Sequence, residues 1–150
     1  MELIARAVQR FNSEAVDYVL HAGDYVAPFA LRPFADLEAD WRGVFGNNDG
    51  ERAGLQKHSQ GRIVDDRLVV ERAGVTLLVV HEQEKGLAEA RQNERIDVLI
   101  CAHTHAFFDG ERDGVRVINP GECCGYLSGQ PTLGVLDTAD LSATRLTLKV

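Results

Sequence analysis

Cysteine is scarce in this sequence, and the little there is forms no pattern. The three cysteines are Cys101, inside an apolar run, and the adjacent Cys123 and Cys124. That spacing makes neither a disulfide framework nor a Cys-x-x-Cys motif, so a reducing cytoplasm is the simplest setting. Long apolar runs are lacking as well. None approaches the roughly 20 residues of a membrane span, and the opening MELIARAVQRF has no signal-peptide layout. Nor is there a surplus of positive charge. With 16 Lys and Arg against 23 Asp and Glu the net charge is -7, which argues against a protein that coats nucleic acid. No Gly-x-Ser-x-Gly elbow occurs, and no histidine neighbours Cys123-Cys124 in sequence, so a hydrolase built on a Ser or Cys nucleophile has little support. Without repeats, linkers or low-complexity stretches, residues 1–150 read as one domain.

What is present is a regular alternation. Leu3, Ile4, Ala7, Val8 and Phe11 recur at helical spacing, so an amphipathic helix opens the chain. VDYVLHAGD then reads as a buried strand with a polar tip. A second helix is expected over Phe29 to Ala39, a strand at WRGVFG, and a short helix over 51–59. RLVVER and VTLLVVH, broken by Gly74, predict an antiparallel pair running into His81. Gly86 to Arg95 has helical composition, IDVLICAHTH reads as a strand, and FFDGERDGVRVINPGE as a hairpin turning at Asp113-Gly114. TLGVLDT and ATRLTLKV supply two last strands. Strand–helix alternation followed by hairpins predicts an α/β fold, two packed mixed sheets flanked by helices.

Four strands stop where metal-ligand residues begin: Asp24 after YVLHAG, Asn47 to Asp49 after WRGVFG, His81 after VTLLVV, and His103 with His105 after VLICA. Ligands of α/β sheets bind beyond the carboxyl ends of the strands, so these positions can converge in space. Imidazole, carboxylate and amide oxygen together suit a transition metal better than calcium. Each piece also has a plain reading. Gly-Asp is commonly a turn or cap, Gly-Asn-Asn-Asp-Gly a turn, and a lone His81 a hydrogen-bonded strand end. His-Thr-His is more specific, because imidazoles at i and i+2 share one side of an extended chain.

In that order, Gly23-Asp24, Gly46-Asn47-Asn48-Asp49, His81 and Ala102-His103-Thr104-His105 resemble motifs two to five of calcineurin-like metallophosphoesterases. The chain is most similar to the small prokaryotic phosphodiesterase group related to the retromer scaffold subunit Vps29, in which RGNND and a segment like Val117 to Gly125, VINPGECCG, recur. The resemblance implies a fold of the αββα type and hydrolysis of a small phosphate ester by a hydroxide that two metal ions activate. It implies Asp24 as the residue shared by both ions, Asn47, His81 and His103 completing one site, and His105 belonging to the other. The ions would be Mn, Ni, Fe or Zn. Asn48 stands where many relatives carry a histidine that protonates the leaving group, which an amide cannot do. Asp49 is then expected to have little left to orient. No membrane partner is implied, no clear nucleic-acid surface, and a homo-oligomer is left open.

The departures are as informative. The family's first motif, Asp-x-His at the end of a first strand, has no counterpart before the opening helix. The expectation is a start codon placed at an internal methionine, a fold lacking its first strand, and impaired activity, because one metal site keeps only Asp24 and His105. Glu82 and Ala102 replace glycines that follow and precede the metal-ligand histidines; glycine there allows close backbone approach, so both replacements count against an intact metal geometry. The alternative function is therefore an inert, Vps29-like protein-binding scaffold.

Overall fold

The computed structural model describes residues 1–93 and 95–149. Helix α1, Glu2–Ser13, packs Ala7 and Val8 inward and is followed by β1, Tyr18–His21. The segment expected to be an α-helix over Phe29 to Ala39 is a 3₁₀ helix, Pro28–Asp36, with Pro33 inside it. Proline has no N–H to donate and its ring crowds the preceding turn, so the tighter coil replaces the α-helix. Strand β2, Asp40–Val44, and helix α2, Arg52–His58, come next. After the two-residue β3, Ile63–Val64, the antiparallel pair β4, Arg67–Arg72, and β5, Val75–Val80, falls where the alternation predicts it. Helix α3 is Gln83–Ala90. It starts and stops earlier than the stretch 86–95 expected from composition, and Glu94 lies outside the described residues. Strand β6, Val98–Ile100, leads to the hairpin of β7, Phe107–Arg112, and β8, Val115–Pro120. Asp113 and Gly114 turn that hairpin, both at positive φ (51° and 79°), the requirement of a tight two-residue turn. The last strands are β9, Thr132–Leu136, and β10, Ala143–Thr147.

These strands form a parallel sheet β1-β2-β3, a mixed five-stranded sheet β4-β5-β6-β8-β7, and a separate ladder β10-β9. The two larger sheets face each other through Ala22, Val44, Leu68, Val70 and Val79. Beyond the parallel sheet, Val19, Trp41, Leu55 and Ile63 pack under α2 and the 3₁₀ helix, with Phe11 of α1 against them. Beyond the mixed sheet, Leu78, Val80, Leu99 and Val117 pack under Leu87 and Ala90 of α3. Helices, sheet, sheet and helix thus form layers, and the carboxyl ends of β1, β2, β5 and β6 carry the loops that the sequence singled out. Among the described residues no helix is long and apolar enough to cross a membrane.

Candidate metal centre

The loops after those four strands bring Asp24, Asn47, His81 and His103 together. His81 is buried and anchors the set. Its Nδ1–H donates to the Ala22 carbonyl at 2.7 Å, which leaves Nε2 as a bare lone pair facing inward. There it meets Asn47 Oδ1 at 2.8 Å, His103 Nδ1 at 3.3 Å and Asp24 Oδ2 at 3.5 Å. His103 Nδ1 stands 2.9 Å from the same Asn47 oxygen. Donor atoms about 2.0–2.1 Å from one tetrahedral ion stand roughly 3.3 Å from each other. The separations here, from 2.8 to 3.5 Å, bracket that value, and the His81 Nε2 lone pair turned on the Asn47 oxygen suits a cation between them. The donor set therefore fits one divalent ion. Among the described residues no three His, Cys, Asp or Glu side chains are arranged to hold an ion by themselves; Asn47 Oδ1 is the atom that touches both His81 and His103. Asn47 and His103 are exposed while His81 is buried, so the cluster has a fixed floor and an open rim.

Asp24 is held from two directions. Its Oδ1 accepts the Asn48 backbone N–H and its Oδ2 accepts the Asn48 side-chain amide, each at 2.9 Å. Asn48 thus orients the carboxylate. Asp49, expected to have little to orient, does more. It is 4% exposed, and its carboxylate accepts the backbone N–H groups of Asp24 at 3.0 Å, Val26 at 2.8 Å and Gly46 at 2.7 Å. That one side chain fastens the loop after β1 to the loop after β2. The clamp is needed because Asp24 and Val26 both sit at positive φ, 64° and 69°, a conformation that costs a β-branched residue most. Two glycines make the close approach possible: a Cβ on Gly23 would lie 2.7 Å from Gly46 N, and one on Gly46 would lie 2.1 Å from Asp24 Oδ1.

Glu82 and Ala102 do not disturb this arrangement. Glu82 is the extended residue before α3 (φ -94°) and pairs with Lys85 at 2.7 Å. Ala102 is not among the residues at positive φ; its N–H donates to the His81 carbonyl at 3.0 Å and its carbonyl accepts Asn119 Nδ2 at 2.9 Å. Neither position requires glycine. The cysteines also stay out of the chemistry: burial pushes the Cys101 thiol up to about 12 and Cys123 to about 11, so neither is a ready thiolate.

His105 is turned elsewhere. Its Nδ1 donates to Glu122 Oε2 at 2.8 Å, a carboxylate that sequence reasoning passed over inside VINPGECCG. Burial would raise the Glu122 carboxyl, but hydrogen bonds from Ser128, His105 and Leu127 outweigh it and hold it down at about 2. No local signal in the sequence flags it, because its partners lie too far along the chain to be read locally.

A buried histidine floor, a carboxylate and an amide oxygen, set at strand ends between two sheets, are the donor types that metal-assisted hydrolases use. A family model for the calcineurin-like phosphoesterase superfamily domain matches residues 1–141, and the chain belongs to that superfamily. It is 41% identical over 140 residues to Phosphodiesterase MJ0936 of Methanocaldococcus jannaschii, covering 90% of this chain and 84% of that protein. A solved structure of an archaeal phosphodiesterase superposes with a TM-score of 0.87 at 39% identity, covering 98% of this chain and 92% of that one. Wild-type Vps29 of Entamoeba histolytica, complexed with zinc, shares the fold at a TM-score of 0.69 and 18% identity, covering 95% and 87%.

Proposed function

We propose that this phosphoesterase is a metal-dependent phosphodiesterase that acts on small phosphate esters, with Asp24, Asn47, His81 and His103 holding one divalent ion of the Mn, Ni, Fe or Zn type. The observation that carries this is the convergence of their nitrogen and oxygen atoms on one point, within 2.8 to 3.5 Å of His81 Nε2. The relative at 41% identity, named a phosphodiesterase, supports the substrate class. A divalent ion bound there supplies Lewis acidity toward phosphoryl oxygens and toward the attacking water. The protein does the rest. Asn48 and Asp49 keep the Asp24 carboxylate in place, and the Ala22 carbonyl fixes the tautomer of His81. A net charge of -7 otherwise repels a phosphate, so attraction of substrate falls to the ion. Asn48, whose amide has no proton to give near neutral pH, offers the leaving group no acid. Esters whose alcohols leave without protonation, such as aryl esters, are therefore the better substrates. The motif resemblance also assigns His105 with Asp24 to a second, weaker ion site, toward which the ring would use Nε2, its Nδ1 being taken by Glu122.

Purified protein given Mn or Ni is expected to hydrolyse bis-p-nitrophenyl phosphate weakly, in keeping with an incomplete second ion site, and to turn over alkyl diesters more slowly still. Asp24→Ala, which removes a ligand and the partner of Asn48, is expected to cost about 100-fold or more in kcat/KM, on the scale of losing a metal's anchoring group. Unchanged turnover in Asp24→Ala, or a preference for alkyl over aryl esters, would sink the proposal.

A further inference from the structure

We propose that Glu122 is a positioning residue that decides which ring nitrogen of His105 carries the proton and so leaves Nε2 of His105 as its free donor atom. The inference rests on the functional reading above for what His105 does, and on the geometry alone for how Glu122 acts.

Glu122 is 7% exposed, and each of its oxygens has an assigned task. Oε1 accepts the backbone N–H of Leu127 at 2.7 Å and of Ser128 at 2.5 Å. Oε2 takes the His105 ring nitrogen at 2.8 Å and lies 3.7 Å from the Cys124 thiol. The residue's own carbonyl accepts the Thr132 N–H at 3.0 Å, so backbone and side chain are both fixed. A carboxylate accepts and cannot donate. The proton of a neutral His105 must therefore sit on Nδ1, and the lone pair on Nε2. His105 is itself at positive φ, 61°, so its backbone alone does not set the ring; the buried carboxylate does. This is the same device as the Ala22 carbonyl on His81, built from a side chain that arrives seventeen residues later in the chain.

The asymmetry of the two oxygens makes Glu122→Gln a sharp probe. Two backbone N–H groups converge on Oε1, so the glutamine oxygen must face them. Its NH₂ then points at His105 Nδ1, which becomes an acceptor, and the proton moves to Nε2. Volume and backbone bonds are kept while the tautomer is inverted.

Long-range proton–nitrogen correlation spectra of metal-free protein, at alkaline pH where the ring is neutral, read the tautomer directly. We expect Nδ1–H in the wild type and Nε2–H in Glu122→Gln. Titration with Zn alone is then expected to show the weaker of two binding events reduced about 10- to 100-fold in the variant, the event at Asp24, Asn47, His81 and His103 being unchanged. A wild-type His105 protonated on Nε2 overturns the assignment, and that spectrum requires no variant to fold. An unchanged tautomer in folded Glu122→Gln overturns it equally. Protein that shows both expected tautomers yet hydrolyses no phosphodiester supports the Glu122 assignment and overturns the proposed function instead.

Discussion

Asp49 illustrates how one side chain can hold two strained residues at once. Its carboxylate serves three backbone N–H groups, two of them on residues at positive φ. Asp49→Ala leaves those donors without their partner, and for the buried Gly46 N–H the cost is about 1–3 kcal/mol. A loss of about 2 kcal/mol is expected, seen as a lower urea midpoint at unchanged slope. Asp49→Asn is expected to fall between, since its NH₂ would face the Val26 N–H. His21 gives a second prediction at this scale. It accepts the Gly23 N–H at 3.1 Å and stacks on Tyr25 at 3.9 Å, and burial lowers it from 6.5 to about 4. The unfolded chain protonates this ring before the folded one does, so its stability contribution is complete above pH 6.5 and is lost as pH falls toward 4. Because His21 as a whole residue is only half-buried, the loss is about 2 kcal/mol rather than the roughly 3 kcal/mol of a wholly buried group. Stability curves of wild type and His21→Gln should converge at acid pH.

The elements that carry the site were legible because they are local. VTLLVV ending on His81 is an apolar run with a polar tip, and its core role is visible in Leu78 and Val79, both at 0% exposure. On the neighbouring strand, Leu99 is likewise wholly buried, beneath α3. Leu99→Ala is expected to cost about 3 kcal/mol, the usual range for a core leucine, measured by thermal or urea unfolding. Gly23→Ala belongs to the same scale: at φ +99° and with Gly46 N 2.7 Å from the added carbon, it should separate the two site loops and weaken metal binding. Other features could not be read from the sequence. Pro33 turned the expected α-helix over Phe29 to Ala39 into a 3₁₀ helix, where apolar spacing alone favours the α form. The tasks of Asp49 and Glu122 depend on loops that meet only after folding. Motif resemblance marked Asp49 as a bystander and gave Glu122 no role.

At the scale of the whole molecule, the site belongs to neither sheet. Asp24 and Asn47 follow strands of the parallel sheet, His81 and His103 strands of the mixed one. An ion that binds only the docked arrangement adds RT ln(1 + [L]/Kd) to stability, about 2.7 kcal/mol at a hundredfold excess over Kd. Mn or Zn should therefore raise the melting temperature of wild type, and Asp24→Ala should abolish most of that rise.

The same division has a kinetic consequence. The parallel pairings β1-β2, β5-β6 and β6-β8 each close a long loop, which slows folding relative to helical proteins of this size. Each sheet must be largely assembled before its strand ends can face those of the other. Contacts to the proposed ion would then form after the main barrier, and interactions absent from the barrier act on escape from the native state. Added metal is expected to leave the refolding limb of a urea chevron in place and to lower the unfolding limb by the full stabilisation. A metal-dependent refolding rate would instead mean that Asp24, Asn47, His81 and His103 meet early and help to draw the two sheets together.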